Sequence, residues 1–220
     1  MNWRRIVPLT GLVFAVLLVV SFIVAGDTPD PDASAEEVAS FYTSNDTSQG
    51  VSALLGGVAG IFFLFFLGIL RGELRRHEQG PGVLSATAFA GGIVLSVGGA
   101  AFAGFTLTLA DTADDIDPSA IQALNALSGD FFVPLAVGVI VFLIAAGIAI
   151  VRTGALAAWL GWAAIVIGIL WVTPAFFVAG PGALLWVAVV SVLLSMRAGA
   201  PELPAAARPG PQPTPSGPPT

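Results

Sequence analysis

Residues 51–70 read VSALLGGVAGIFFLFFLGIL, a stretch without a single charged side chain. About 20 apolar residues in a helix cross the hydrocarbon core of a bilayer, which is about 30 Å thick. Five further apolar stretches also lack charge, although the last of them is short. The sequence therefore predicts an all-α fold, a polytopic bundle of six membrane-spanning helices at residues 6–25, 51–70, 83–110, 131–151, 155–173 and 182–196.

The composition excludes a water-soluble globular protein. Hydrophobic side chains make up 56% of the 220 residues and charged ones only 10%, whereas soluble domains have roughly 45–50% and about 25%. The net charge of −6 has the wrong sign for a nucleic-acid partner. The absence of cysteine excludes disulfides, thiolate catalysis and cysteine-ligated metal.

The distribution of arginine predicts the orientation of the bundle. All eight basic residues are arginines, and each lies in the N-terminal segment, the second or fourth loop between spans, or the C-terminal tail. Short basic loops remain in the cytoplasm, so both termini are predicted to be inside. The inner segments then carry a net charge of +5 and the outer loops −11, with no basic residue among them. The arginines are Arg4, Arg5, Arg71, Arg75, Arg76, Arg152, Arg197 and Arg208.

The first apolar stretch also resembles a signal peptide, because Met1–Arg5 is basic and Val24-Ala25-Gly26 could be cleaved. Its apolar run is longer than the 7–15 residues of a typical signal core, so an uncleaved helix is favoured. The predicted location is the bacterial plasma membrane, with the lipid bilayer as the first partner. Residues 1–197 form the transmembrane domain, and residues 198–220 are a Pro-rich tail that is predicted to be disordered and cytoplasmic.

The first outer loop is predicted to contain a short amphipathic helix. Ser34 and Glu37 have the spacing of a capping box, which marks a helix start. Val38, Phe41 and Tyr42 then share one face of that helix.

The second outer loop is predicted to contain another such helix, beginning at Asp117-Pro118. A calcium site is the alternative interpretation of its acidic residues. However, Ile116 and Gln122 occupy the places where an EF-hand loop needs Gly and Glu, so a solvated acidic loop is favoured. The acidic residues are Asp111, Asp114, Asp115 and Asp117.

Small residues are predicted to form helix-packing faces, because close backbone approach stabilises helix pairs in lipid. They lie in the second and third spans, and they could pack within the chain or between copies in a homo-oligomer. The four phenylalanines between residues 62 and 66 are interpreted as lipid contacts. The predicted packing residues are Gly56, Gly60, Ala88, Gly92, Ser96, Ala100 and Gly104.

Tryptophan and arginine are predicted to anchor the bundle at the two membrane interfaces. Trp3, Trp159 and Trp162 would lie at the inner interface, and Trp171 and Trp186 at the outer one. The remaining predicted anchors are Arg4, Arg5, Arg75 and Arg76.

The sequence gives no sign of catalysis. An intramembrane active site usually contains an ionisable residue within a span, and the six predicted spans have none. The single histidine, His77, lies in an inner loop, and there is no lysine to form a Schiff base. We therefore expect no enzyme activity, no cofactor and no metal. A structural, assembly or stress-related membrane component is the first hypothesis, and a small transporter or channel for a neutral or lipid-like solute is the alternative.

Several motifs occur together in this chain: Trp3-Arg4-Arg5, Phe65–Gly68 before Leu70-Arg71, Asp114–Pro118, and Gly154-Ala155-Leu156 before Trp159–Trp162. Over residues 1–197 the chain resembles a group of actinobacterial hypothetical membrane proteins with six spans. The resemblance implies a bacterial plasma membrane and a domain of unknown function. It implies no catalytic residue.

Overall fold

A computed structural model describes residues 6–198, and within them the chain is helical with no strand. A 3₁₀ turn at Val7–Leu9 leads into the first of the α-helices. The predicted sites at Trp3, Arg4 and Arg5, and the predicted tail from residue 199 onward, lie outside the described residues. The helices are α1 (Thr10–Ala25), α2 (Ala35–His77), α3 (Val83–Thr112), α4 (Pro118–Asp130), α5 (Phe132–Thr153), α6 (Ala158–Leu170) and α7 (Phe176–Ala198).

Five helical segments of the described chain are long and apolar enough to cross a membrane, and they suggest a multi-pass membrane protein. The predicted fifth span differs, because α6 has only 13 residues and measures about 20 Å. The predicted sixth span is longer than expected. α7 begins at Phe176 because Pro181 lies inside the helix instead of interrupting it.

The first predicted amphipathic helix is not a separate element. The helix does start after Ser34, whose Oγ accepts a hydrogen bond from the Glu37 N–H at 3.2 Å. It then continues through the second span as α2, with a kink at Asn45 (φ −125°, ψ 18°). No proline interrupts this segment, and the Asn45 side-chain amide donates to the Phe41 carbonyl at 2.9 Å, so the kink is bridged by a hydrogen bond. The second predicted amphipathic helix is present as α4.

Consecutive long helices run antiparallel and approach each other closely at glycines. A Cβ atom on Gly91 of α3 would lie 2.5 Å from the backbone nitrogen of Phe142 in α5. Further along the same pair, a Cβ on Gly138 would lie 2.5 Å from the Leu95 nitrogen. Such distances leave no room for a side chain, so glycine sets the spacing of α3 and α5.

The bundle core lies where α2, α5, α6 and α7 meet. Its largest fully buried side chains include Phe63, Phe66 and Phe142, and the Phe63 and Phe142 rings meet edge to face. Phe63 and Phe66 are therefore core residues and not lipid contacts, because α2 turns this face toward α1 and α5. Phe65, which is 60% exposed, keeps the predicted outward position.

The two ends of the bundle differ in charge. We call one the arginine end: it contains the end of α2, the start of α3, the α5–α6 turn and the end of α7. Arg197 at the end of α7 donates to the Ala155 carbonyl in the α5–α6 turn, which holds these segments together. The opposite end, residues 26–50 and 107–130, is called the acidic cap.

Candidate functional site: the acidic cap

The acidic cap has a hydrophobic core of its own. Val38 and Tyr42 from α2 pack against Ile121 of α4 and against Leu109 and Ala113 at the end of α3. Val38 and Ile121 are completely buried. The predicted apolar face that contains Val38 and Tyr42 is thus covered by protein, and the cap is a folded unit.

Buried polar side chains tie the loop before α2 to α4. Asn125 is the centre of this network: its Oδ1 accepts from the Tyr42 hydroxyl at 3.3 Å, and its Nδ2 donates to the Asp30 carbonyl at 3.1 Å. Gln122 donates to the Ala33 carbonyl at 2.8 Å. Because a loop without regular structure must bond its buried backbone groups elsewhere, these two side chains hold the loop in place.

The start of α4 is stabilised as the sequence predicts. The carboxylate of Asp117 accepts from the Ser119 N–H at 2.9 Å, and Pro118 takes the first helical position. Hydrogen bonds from the Ser119 hydroxyl and backbone N–H lower the pKa of Asp117 below its ordinary value.

The cap surface carries negative charge only. All of the acidic residues between positions 27 and 50 and between positions 107 and 130 belong to it, eleven in number, and no Lys or Arg occurs in these ranges. The arginine end holds the five described arginines. Asp114 has a structural role as well, because its carboxylate accepts from the Thr43 hydroxyl at 2.6 Å and links the α3–α4 loop to α2.

A groove of about 470 Å³ opens between α2 and α3 at the edge of the cap. Asp46, Asp111 and Asp114 supply its carboxylates, and Val51 and Leu54 form its apolar wall. Within residues 6–198, no group of three or more His, Asp or Glu side chains is arranged to hold a metal ion.

The predicted packing residues fall into different environments. Ala88 is buried, a Cβ on Gly92 would overlap the Leu67 side chain, and a Cβ on Gly56 would lie 3.6 Å from the Ser21 hydroxyl. The Ser96 hydroxyl bonds to its own helix, at the Gly92 carbonyl. Ala100 is exposed, and a Cβ on Gly60 or Gly104 would meet nothing within 4 Å.

Close helix contacts also involve glycines that were not predicted as packing residues. Gly91 and Gly98 approach α5 from α3, whereas Gly161 and Gly168 approach it from α6. Both pairs are seven residues apart, which returns a side chain to the same helix face after two turns. This seven-residue spacing is the signal that could have identified them.

The tryptophans predicted to lie at the membrane interfaces differ in their exposure. Trp159 and Trp162 are 60% and 58% exposed, as a lipid-facing position requires. Trp186 is a core residue and not an interface anchor, because its indole N–H bonds to the Leu160 carbonyl inside the bundle. Trp171 stacks on Phe132 at 5.5 Å.

The two predicted arginine anchors of α2 have local partners. Arg75 donates to the carbonyls of Glu78 and Gly80, at 2.9 and 3.0 Å, and so holds the turn that follows α2. Arg76 pairs with Glu73 at 3.3 Å.

Two buried hydroxyls in the bundle, those of Ser21 and Ser191, bond to other helices or turns. Ser21 of α1 donates to the Ser52 carbonyl of α2 at 2.9 Å. Ser191 of α7 accepts from the Leu12 N–H at 3.0 Å and donates to the Pro8 carbonyl. These groups therefore serve helix association.

No family model, curated protein or solved structure matches this chain. The resemblance to an actinobacterial membrane protein group therefore stays a prediction.

Proposed function

We propose that this chain is a non-enzymatic structural or assembly component of the bacterial plasma membrane. In this proposal its acidic cap binds a basic segment of another protein at the outer surface. The observation that carries the proposal is a folded cap with eleven acidic residues and no basic one. A surface of one sign attracts and orients an oppositely charged partner.

The proposed topology has six crossings, with both termini in the cytoplasm and the cap outside. The location of every described arginine at the end opposite the cap supports this orientation. Stacking of Trp171, just after α6, on Phe132 at the start of α5 supports a crossing by α6. This contact brings the end of α6 back to the level at which α5 begins.

Transport of a neutral or lipid-like solute has weaker support. The centre of the bundle is filled by large side chains such as Phe63, Phe66 and Phe142. The buried hydroxyls of Ser21 and Ser191 are engaged in helix contacts. Such a filled interior favours a structural component over a transporter or channel.

Site-specific crosslinking tests the proposal. A photoreactive amino acid replaces Ile116, an exposed residue of the cap, in the full chain in native membranes. The matched control places the same group at Val166, an exposed apolar residue of α6. We expect a discrete protein adduct from position 116 alone.

The charge dependence of that adduct completes the test. Asp111→Asn with Asp115→Asn removes two exposed carboxylates that form no side-chain hydrogen bond in the described structure. We expect the adduct to fall several-fold. An unchanged yield, or no discrete adduct at position 116, would refute a charge-selected protein partner.

A further inference from the structure

The turn between α6 and α7 exposes an unusually apolar surface at the cap end of the bundle. Val172, Phe177 and Val178 are 72%, 75% and 72% exposed. No charged residue occurs between Arg152 and Arg197, whereas the cap at the same end is densely acidic. We call residues 171–178 the hairpin tip.

Most backbone N–H groups of the hairpin tip form hydrogen bonds within the chain. Each N–H group from residue 171 to residue 176 donates locally, apart from proline 174, which has none. The Thr173 hydroxyl contributes by accepting from the Ala175 N–H at 3.2 Å and donating to the Leu170 carbonyl at 2.8 Å. Internal satisfaction of backbone donors is what lipid demands of any segment within it. The other N–H donors are those of Trp171, Val172, Thr173 and Phe176.

The height of the hairpin tip is fixed by aromatic contacts with α5. Phe132, the first residue of α5, stacks on Trp171 at 5.5 Å and contacts Phe176 at 4.9 Å. α5 has 22 residues and is about 33 Å long, close to the hydrocarbon thickness of about 30 Å. These contacts place the hairpin tip beside the start of α5, about one bilayer thickness from the arginine end.

We infer that the hairpin tip inserts into the lipid leaflet at the cap end, where phospholipid acyl chains cover Val172, Phe177 and Val178. At the same end of the bundle, the acidic cap lies in water, whereas the hairpin tip ends within the membrane. This inference rests on the membrane location of the chain and does not depend on a protein partner of the cap.

Spin labels at single cysteines test the inference, and the natural absence of cysteine makes the labelling specific. The full chain is reconstituted in vesicles of phosphatidylethanolamine and phosphatidylglycerol. Labels at Val172→Cys and Phe177→Cys are exposed to oxygen, which concentrates in lipid, and to a water-soluble nickel chelate. Val166→Cys in α6 is the lipid control, and Asp32→Cys in the cap is the water control.

We expect oxygen collisions to exceed nickel collisions several-fold at both tip positions, as at Val166, with the opposite ratio at Asp32. A nickel-accessible tip would overturn the inference. So would a tip protected from both reagents, because protein would then cover it. Either result would leave the crosslinking from position 116 unaffected, so the two proposals fail separately.

Discussion

The indole N–H of Trp186 donates a hydrogen bond to the backbone carbonyl of Leu160, with 2.8 Å between nitrogen and oxygen. Leu160 is completely buried and Trp186 almost so. The Trp186 ring also meets the Phe142 ring edge to face, at 5.8 Å. One side chain of α7 thus contacts both α5 and α6. The helix α6 has only 13 residues, so such contacts with its neighbours help to hold it in the bundle.

Trp186→Phe removes this hydrogen bond and keeps an aromatic ring. We expect the free energy of unfolding to fall by about 1 kcal/mol, the usual scale of an interhelical hydrogen bond in a membrane protein. Trp171→Phe is the matched control, because the Trp171 indole N–H is buried without a partner among the described residues. Thermal unfolding of the two variants in the same detergent compares their losses of stability. Equal losses would contradict a contribution from the hydrogen bond.

Gly91→Ala places a methyl group against the backbone of Phe142, where 2.5 Å is available. The helices must separate, and we expect a loss of about 1–3 kcal/mol, typical of overpacking. Gly99→Ala on the same helix meets nothing within 4 Å. It should be neutral or stabilising, because alanine favours the helix. A comparable loss at both positions would show that close packing of α3 and α5 is not the cause.

Ile121→Ala empties the centre of the cap core. A buried Ile→Ala change costs about 2–5 kcal/mol, and we expect the loss to be confined largely to the cap. Hydrogen–deuterium exchange in lipid nanodiscs measures this. Amides of residues 118–130 should exchange faster, while those of α5 change little. Equal acceleration in both regions would contradict an independently packed cap.

The stabilisation that the Glu78 carboxylate provides should depend on pH. Burial alone raises its pKa, but hydrogen bonds from the Ser85 side chain and from the backbone N–H groups of Ser85 and Leu84, together with the Arg75 charge, outweigh burial. The net effect lowers the pKa below 4.5. The stabilisation is therefore complete above pH 4.5 and is lost as the pH falls through the lowered folded value.

The expected readout is amide exchange at the start of α3. The carboxylate of Glu78 accepts from Leu84 N–H at 2.8 Å and Ser85 N–H at 3.0 Å. Glu78→Gln should accelerate exchange at these amides above pH 4.5, and the difference from the original chain should vanish in stronger acid. Glu73→Gln, which affects the pair with Arg76 instead, should leave both amides unchanged. A difference that persists in strong acid would refute the role of the charge.

Local signals in the sequence predicted some elements well. Ser34 and Asp117 start their helices because each side chain accepts a hydrogen bond from a backbone N–H within the first turn. This interaction depends on neighbours in sequence only. The apolar helices were also predictable from local sequence, because a bilayer requires stretches without charged residues.

Contacts between distant residues explain what the sequence did not predict. Trp186 occupies the core because the Leu160 carbonyl and the Phe142 ring accommodate it, and neither lies near it in the chain. The helix α2 continues through the kink at Asn45, and Val38 before the kink packs against Ile121 of α4, which is distant in the chain. Gly60 and Gly91 are both glycines in spans, yet only Gly91 meets another backbone.

We propose that the acidic cap and the arginine end lie on opposite sides of the membrane, with six crossings between the termini. Single cysteines at Asp32, Ala157 and Ala198 are labelled in intact cells with a membrane-impermeant maleimide. We expect labelling of Asp32→Cys at once, and of Ala157→Cys and Ala198→Cys only after permeabilisation. Labelling of Ala198→Cys but not Ala157→Cys in intact cells would contradict the six crossings. Labelling of both, with Asp32→Cys protected, would reverse the orientation.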